Sequence, residues 1–249
     1  MKLARLDAGP EIFHSIQGEG KSMGKPFVFV RTSLCNLHCI WCDTDYTWNW
    51  EGSRFAHEKD ADPGYKKFKK EDYIIELPES EVVKLVLDYE CSNVVLTGGE
   101  PLLQQEELAT LSRELKSKGI AWIEIETNGT LIPTPELDGL VEQYNVSPKL
   151  SNSNNPKKLR EKPAAYEFFR QSEKANFKFV LSAEADLEEI LELKERYELP
   201  ASRIYLMPEG RNVETLNKRQ RWLVDVCKEY GFNYTDRLHI HIYGNKRGI

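Results

Sequence analysis

The chain reads Asn93-Val-Val-Leu-Thr97, then an amphipathic pattern over residues 102–118, and then Trp122-Ile-Glu-Ile-Glu126. Short runs rich in β-branched residues are typical of strands, whereas apolar residues three and four positions apart are typical of a helix. Because parallel strands need a crossover connection, the order strand, helix, strand predicts a parallel sheet.

The same alternation continues on both sides of this unit. Phe27-Val-Phe-Val-Arg31 predicts an earlier strand, and Ser80 is a candidate N-cap for the helix that follows it. An alternating run over residues 237–243 predicts a last strand at the edge of the sheet. Further strands are predicted at residues 145–147, 176–181 and 203–207, and helices at residues 135–144, 158–171, 187–197 and 216–230.

These segments predict an α/β fold, a partial and distorted β/α barrel of about six to seven mainly parallel strands, since a complete barrel of this type has eight. We expect one domain over residues 1–249. Residues 46–72 lack a period and are expected to form an inserted loop with a short helix. Its lysines predict either a solvated face or a docking surface for an acidic electron donor: Lys66, Lys67, Lys69 and Lys70.

Composition excludes several classes of protein. The 249 residues carry 40 acidic and 34 basic side chains, a formal net charge of -6, which is the wrong sign for a broad nucleic-acid or anionic-membrane surface. No run of about 18 apolar residues is present for a membrane span. Residues 1–10 lack the apolar block of a signal peptide. We therefore expect a cytoplasmic globular protein that has no nucleic-acid or membrane partner.

Three of the five cysteines lie close together in Cys35-Asn-Leu-His-Cys39-Ile-Trp-Cys42. In a reducing compartment such a cluster is typical of a metal or redox centre rather than of disulfides. Three thiolates can hold three irons of a [4Fe-4S] cluster and leave the fourth iron open to an outside ligand. The alternative is a structural zinc site in which His38 is the fourth ligand. Cys91 and Cys227 are more typical of small buried apolar residues.

A second motif, Thr97-Gly98-Gly99-Glu100-Pro101, ends the strand that begins at Asn93. Two glycines allow the backbone to approach a ligand closely, and the carboxylate can accept hydrogen bonds from an ammonium group. Taken alone, this motif and the similar sequences elsewhere are also common turns. The others lie at the carboxyl ends of predicted strands, where barrel enzymes carry their active sites: Thr127-Asn128, Ser147-Pro148-Lys149 and Met207-Pro208-Glu209.

The spacing C-x3-C-x2-C with Gly-Gly-Glu-Pro further along the chain resembles the radical S-adenosylmethionine superfamily. The resemblance implies that Cys35, Cys39 and Cys42 hold a [4Fe-4S] cluster whose open iron binds S-adenosylmethionine. Three further features make the chain similar to the 7-carboxy-7-deazaguanine synthases: Ile16-Gln17-Gly18-Glu19-Gly20, Arg31 and Asp43-Thr44.

The resemblance also implies roles for individual residues. Arg31 would bind a substrate carboxylate, because its planar guanidinium can meet both oxygens. Thr44 would bind Mg2+, which prefers oxygen ligands, although a lone threonine after a cysteine is also typical of a helix cap. S-adenosylmethionine would contact Gly98, Gly99, Glu100, Thr127, Asn128, Ser147, Pro148, Lys149, Met207, Pro208 and Glu209. The other substrate residues would be Ile16, Gln17, Gly18, Glu19, Thr97 and either His239 or His241, which share one face of the predicted last strand.

The activity implied by the resemblance is that of a lyase. A 5'-deoxyadenosyl radical would remove hydrogen from 6-carboxy-5,6,7,8-tetrahydropterin, and loss of ammonia would give 7-carboxy-7-deazaguanine, a precursor of queuosine and other modified tRNA bases. Flavodoxin or ferredoxin would supply the electron, and the family favours homodimers. Two alternatives remain open: an activase that installs a glycyl radical on a partner protein, and a non-catalytic zinc-binding module.

Overall fold

The computed structural model describes residues 1–249. Eleven strands form one sheet: β1 (Lys2–Leu6), β2 (Gly9–Pro10), β3 (Ile12–Ile16), β4 (Pro26–Thr32), β5 (Ile74–Glu76), β6 (Asn93–Gly98), β7 (Trp122–Thr127), β8 (Gln143–Val146), β9 (Ala175–Leu181), β10 (Ile204–Pro208) and β11 (Asn233–Tyr234). Helices follow most of them: α1 (Lys70–Tyr73), α2 (Glu79–Leu87), α3 (Gln105–Ser117), α4 (Pro135–Asp138), α5 (Lys157–Arg160), α6 (Pro163–Gln171), α7 (Asp186–Arg196), α8 (Val213–Tyr230) and α9 (Leu238–Tyr243).

Seven strands run parallel in the order β4-β6-β7-β8-β9-β10-β11. Strands β1 and β3 add antiparallel to the other edge of β4. No pairing joins β11 back to β3, so the barrel is open and the predicted partial barrel is confirmed. The loop after β3 bridges the gap: the Leu238 amide donates to the Gly18 carbonyl over 2.9 Å, and the Gly20 amide donates to Thr235 Oγ1 over 2.7 Å.

The main core lies between the sheet and the outer helices. Every residue of β9 is buried, as expected for a strand covered on both faces. In α3, Leu108, Leu111 and Leu115 are fully buried at helical spacing. Inside the barrel, by contrast, buried side chains include polar ones such as Glu124 and Gln143. The barrel interior is therefore the polar side of the sheet.

Several predicted helix boundaries are wrong for local reasons. The helix predicted over residues 135–144 is the single turn α4, because Gly139 follows it and glycine disfavours a helix interior. Pro163 divides the next predicted helix into α5 and α6, since proline starts a helix readily but interrupts one. Helix α2 follows Pro78 directly, so Ser80 lies in its first turn and is not the N-cap.

The prediction of a last strand at residues 237–243 is wrong, because this segment forms helix α9. A strand needs a paired edge for its backbone groups, but the loop after β3 meets only the Leu238 amide here. Alternating polarity over so short a segment also fits a helix, and α9 buries Ile240. His239 and His241 therefore point in different directions, since residues two positions apart on a helix are about 200° apart.

Residues 46–72 lie outside the main sheet and are mostly irregular. The ammonium of Lys67 donates to two backbone carbonyl oxygens of this segment, at 2.9 and 2.6 Å, so this lysine is not part of a solvated face. Residues 46–72 carry an aromatic cluster of their own, formed by Tyr46, Tyr65 and Phe68, and Tyr73 of α1 packs against it.

None of the helices in the chain combines the length and the apolar character that crossing a membrane requires.

Candidate active site

A cavity lies at the carboxyl ends of the parallel strands. Polar side chains from six strand ends and from the cysteine loop line it. Most of the residues predicted from the sequence are among them: Ile16, Gln17, Gly18, Glu19, Arg31, Cys35, Cys39, Cys42, Thr44, Thr97, Gly98, Gly99, Thr127, Asn128, Ser147, Lys149, Met207, Glu209 and His239.

Three predicted residues lie outside the lining because of their place along the chain. Pro148 and Pro208 each lie between two lining residues, and neighbouring side chains on an extended segment point to opposite sides. His241 lies on the other side of α9, where its imidazole is 3.3 Å from the carboxylate of Asp236. Of the two histidines, His239 is the one that lines the cavity.

Glu100 also lies outside the lining, although the sequence predicts that it meets an ammonium group. Its buried carboxylate accepts hydrogen bonds from Thr127 Oγ1 at 2.8 Å, the Asn128 amide at 2.7 Å and the Leu102 amide at 3.0 Å. Burial raises the pKa of Glu100, and these hydrogen bonds offset part of the rise. The carboxylate therefore holds the turns after β6 and β7 together.

The two glycines before Glu100 are required by the protein backbone itself. A Cβ on Gly98 would lie 2.1 Å from the carbonyl oxygen of Thr32, and a Cβ on Gly99 would lie 2.0 Å from that of Leu34. Gly98 also has a φ of +131°, which other residues rarely adopt. The turn after β6 thus packs directly against the backbone that leads into the cysteines, and both reach the cavity.

The cysteine loop follows β4 and suits a [4Fe-4S] cluster better than a zinc ion. Three sulfurs line one cavity, and each can bind a different iron. Burial raises the pKa of all three thiols, that of Cys39 to about 12, so a bound cation is needed to stabilise the thiolates. The ring of His38 instead stacks on Phe55, with centroids 3.5 Å apart. Nowhere in the chain are three His, Cys, Asp or Glu side chains grouped as ligands of a single ion.

Thr44 lies beside the last cysteine of the loop. Its hydroxyl is 3.5 Å from Cys42 Sγ, and it makes no capping hydrogen bond to the turn Asp45–Thr47. Thr44 thus occupies the N-cap position of this turn without capping it through its side chain. Its hydroxyl oxygen lines the cavity, where a hard cation could use it as a ligand.

Four charged side chains, two of them buried and two partly buried, form a chain along the cavity. Glu19 accepts hydrogen bonds from the ammonium of Lys178 and from Arg237 Nε, the latter at 3.0 Å, and Arg237 also donates to the carboxylate of Asp43. Burial alone would raise the pKa of Glu19, but the positive charges of Lys178 and Arg237 outweigh it and lower this pKa. Each buried charge thus has an opposite partner, and Glu19 is an anion at neutral pH.

Arg31 lines the cavity, and Glu11 orients it. Arg31 Nε donates to Glu11 Oε1 at 3.0 Å, and the terminal nitrogens of its guanidinium make no hydrogen bond to the protein. Glu11 also accepts from the Tyr46 hydroxyl at 3.2 Å and from Arg247 at 2.6 Å. The terminal nitrogens of Arg31 are therefore available to a ligand.

Several charged residues that line the cavity have no binding role in the sequence-based prediction. Glu126 and Lys178 lie among the predicted strand-end residues, and a charge inside a buried strand is costly unless it is paired, so that signal could have marked both as functional. Glu11, Arg237 and Arg247 carry no comparable local signal, because their partners are distant in sequence.

Comparison with known proteins agrees with this site. Residues 29–151 match the family model described as the Radical SAM superfamily. The chain is 39% identical to 7-carboxy-7-deazaguanine synthase of Pyrobaculum aerophilum, over 96% of this chain and 95% of the relative. It is 34% identical to the Rhodopirellula baltica protein of the same name, over 96% and 87%. The crystal structure of QueE from Escherichia coli matches it with a TM-score of 0.64 and 26% identity, over 92% of each chain.

These relatives span nearly the whole chain, and their name is that of an enzyme. The superfamily implies a [4Fe-4S] cluster and S-adenosylmethionine, which the cysteine loop and the cavity fit. Neither the glycyl-radical activase nor the zinc-binding module finds support among them. The chain belongs to the 7-carboxy-7-deazaguanine synthase family of radical S-adenosylmethionine enzymes.

Proposed function

We propose that the protein converts 6-carboxy-5,6,7,8-tetrahydropterin into 7-carboxy-7-deazaguanine and ammonia, for the synthesis of queuosine and related 7-deazapurines. The position of Arg31 carries this proposal. Arg31 lines the same cavity as the three cysteines, and Glu11 holds its Nε. A guanidinium held at one edge presents two parallel donors, which is the geometry that a carboxylate needs. A substrate carboxylate bound there would lie in the cavity that the cluster also reaches.

Other lining residues suit the rest of a pterin. Its ring has N–H donors as well as acceptor atoms, and the ionised carboxylate of Glu19 can accept from such donors. Lys178 and Arg237 lower the pKa of Glu19, so this carboxylate stays an acceptor over the neutral pH range. Burial lowers the pKa of His239, which favours a neutral imidazole at the same wall. The proposed substrate residues are Ile16, Gln17, Gly18, Glu19, Arg31, Thr97 and His239.

The cofactors would lie between the cysteine loop and the strand ends. When bound, they supply the radical chemistry that removes hydrogen from the substrate. Lys149 donates to Ser147 Oγ at 2.8 Å and lies 5.7 Å from the centre of the Trp41 ring, so a cation is fixed at this rim for an anionic group of the ligand. The residues proposed to contact S-adenosylmethionine are Gly98, Gly99, Thr127, Asn128, Ser147, Lys149, Met207 and Glu209.

We also propose that Thr44 binds Mg2+ together with substrate oxygens and water. An external donor of the flavodoxin or ferredoxin class would supply the electron, and Lys66, Lys69 and Lys70 are exposed candidates for contact with it. We propose that the protein is a homodimer, and sedimentation of the purified protein tests this by measuring the mass of the assembly in solution.

The test is an anaerobic assay of the reconstituted protein with the pterin, S-adenosylmethionine, Mg2+ and dithionite, with products identified by mass spectrometry. We expect the deazaguanine and ammonia in equal amounts. Arg31→Lys keeps the charge but loses the paired donors, so kcat/KM should fall about tenfold, or 1.4 kcal/mol. The exposed pair of Arg113 with Glu136 offers a matched control, Arg113→Lys. An intact cluster that yields no deazaguanine rejects the proposal.

A further inference from the structure

Asn155 is a buried residue that precedes α5 and does not line the cavity. Its side-chain Nδ2 lies 3.3 Å from Cys39 Sγ. Its Oδ1 accepts a hydrogen bond from the backbone amide of His38 at 2.8 Å. One side-chain amide therefore contacts the cysteine loop twice, once at the backbone and once at a sulfur.

Chemistry determines the orientation of this amide. A backbone N–H can only donate, so the atom that faces His38 is the acceptor Oδ1. Nδ2 then faces Cys39, and its other acceptors are Ser153 Oγ at 3.1 Å and the Ser153 carbonyl oxygen at 3.4 Å. A flipped amide would place an oxygen against the sulfur and an NH2 group against the backbone amide. The flip would lose both contacts.

The segment around Asn155 is held in place independently of its side chain. Arg160 Nε donates to the carbonyl oxygen of Asn155 at 3.2 Å. The amide of Ile40, directly after Cys39, donates to the carbonyl oxygen of Ser153 at 3.0 Å. The donor therefore stays beside the sulfur, because the first contact fixes the Asn155 backbone against α5 and the second joins this segment to the cysteine loop.

A hydrogen bond to a cluster thiolate stabilises negative charge on its sulfur. The reduced cluster carries one electron more than the oxidised cluster, so the donor stabilises the reduced form more strongly and raises the reduction potential. Cys39 is buried, with 6% of its surface exposed. Little water can therefore replace a donor that is removed.

We propose that Asn155 is a positioning residue that sets the reduction potential of the cluster through its N–H···S contact with Cys39. The proposal concerns the transfer of one electron from the external donor to the cluster, and no bond in the protein forms or breaks. It rests on the cluster and not on the proposed substrate, because its test contains no pterin. Failure of one proposal is therefore distinguishable from failure of the other.

Three variants separate the hydrogen bond from a change of charge. Asn155→Leu removes the donor and keeps the branched shape, with the same number of non-hydrogen side-chain atoms. Asn155→Asp keeps an acceptor for the His38 amide but has no N–H for the sulfur. Asn154→Asp adds the same charge at the exposed neighbouring position, whose φ of 60° aspartate tolerates. The cluster of each reconstituted protein is titrated against mediators of known potential and followed by electron paramagnetic resonance, with iron and sulfide content as a check.

We expect the ratio of reduced to oxidised cluster at a fixed potential to fall about three- to tenfold in Asn155→Leu, where tenfold is 59 mV for one electron. This ratio should fall further in Asn155→Asp, and it should change less in Asn154→Asp. A wild-type potential in Asn155→Leu, or equal shifts in the two aspartate variants, overturns the proposal. If both Asn155 variants lose the cluster, the proposal is tested instead on wild-type protein labelled with nitrogen-15 in its asparagine side chains, again by electron paramagnetic resonance. Its reduced cluster must then show a nitrogen-15 coupling, and absence of that coupling overturns the proposal.

Discussion

Glu11 shows how a single residue can orient two others. Its carboxylate is 1% exposed and accepts hydrogen bonds from Arg31, Tyr46 and Arg247. Burial alone would raise the pKa of Glu11, but the two guanidinium groups outweigh it and lower this pKa. An ionised carboxylate between two arginines limits the orientations of both. Arg31 is thereby aimed into the cavity, and Arg247 is held at its edge.

Glu11→Gln should leave the Arg31 guanidinium charged but less firmly oriented. We expect KM for the pterin to rise about tenfold with a smaller change in kcat, because a binding group has lost its orientation. The free energy of unfolding should also fall by about 2 kcal/mol, since two partly exposed cations lose charge-assisted hydrogen bonds. Steady-state kinetics and urea unfolding measure the two effects. Glu76→Gln, at an exposed position 3.9 Å from Lys2, is the control. Lower stability with an unchanged KM would contradict the orienting role.

Gly18 tests the position of His239 without altering the imidazole. A Cβ on Gly18 would lie 2.0 Å from His239 Nδ1, so Gly18→Ala must displace that ring. We expect kcat/KM to fall about tenfold or more, since small displacements in a site have large effects on rate. Gly9→Ala is a matched control because a Cβ there meets nothing within 4 Å. If Gly18→Ala lowers the rate as much in a His239→Ala background as in the wild type, displacement of the imidazole is not the cause.

Among the elements, strand β7 organises the polar interior of the barrel. Glu124 and Glu126 lie two positions apart and so share one side of this strand. Gln17 donates to both, at 2.6 and 3.1 Å, which anchors the loop after β3 inside the barrel. Glu124 receives further hydrogen bonds from Ser22, Gln143 and Asn145. The loop that bridges the open barrel is thus held by a carboxylate that itself lies outside the cavity lining.

Stability should depend on pH through Glu124. Burial raises the pKa of Glu124 from 4.5 to about 7. Between these values the folded protein keeps a proton that the unfolded chain has lost, so stability falls as pH rises through this window, by up to about 3 kcal/mol. Glu124→Gln lacks this titration. Urea unfolding of both cluster-free proteins from about pH 5 to pH 8 should show the wild type losing stability relative to the variant. Parallel pH curves would show that Glu124 does not titrate in this range.

For the whole molecule, the C-terminal residues meet the N-terminal strands at the edge of the cavity. The C-terminal residues 245–249 line it, next to the cysteine loop and the N-terminal strands. Arg247 donates to the carbonyl oxygen of Arg5 at 2.8 Å and lies 3.6 Å from the centre of the Tyr46 ring. A cation at this distance over an aromatic face adds to the ion pair with Glu11. The tail therefore covers part of an otherwise open barrel.

Removal of residues 245–249 should expose the cavity to water. We expect KM for the pterin to rise about tenfold, because the bound substrate would lose enclosure and Glu11 would lose one of its two cations. Arg247→Ala should give a similar but smaller change, and Lys218→Ala, in an exposed pair on α8, should give none. Steady-state kinetics measures these effects. A truncated protein with the wild-type KM would show that the tail does not contribute to binding.

Features with local causes were predictable from the amino-acid order. Hydrophobic periodicity identified the parallel strands from β4 to β10, because burial of one face or both depends on nearby residues. The cysteine spacing predicted the proposed cluster ligands, since three thiolates on one loop are close without any help from the fold. Residues 237–243 show the limit: their alternation fits two structures, and in the fold this segment is a helix that pairs with no strand.

Tertiary structure alone brought together the partners that orient the site. Glu11 and Arg247 are 236 positions apart, Asp43 and Arg237 are 194 apart, and Cys39 and Asn155 are 116 apart. Each pair forms only because the fold brings the two side chains together and partly removes them from water. A single charge or amide in a sequence carries no information about a partner so distant, whereas a strand, a helix or a cysteine loop is recognisable from its own residues.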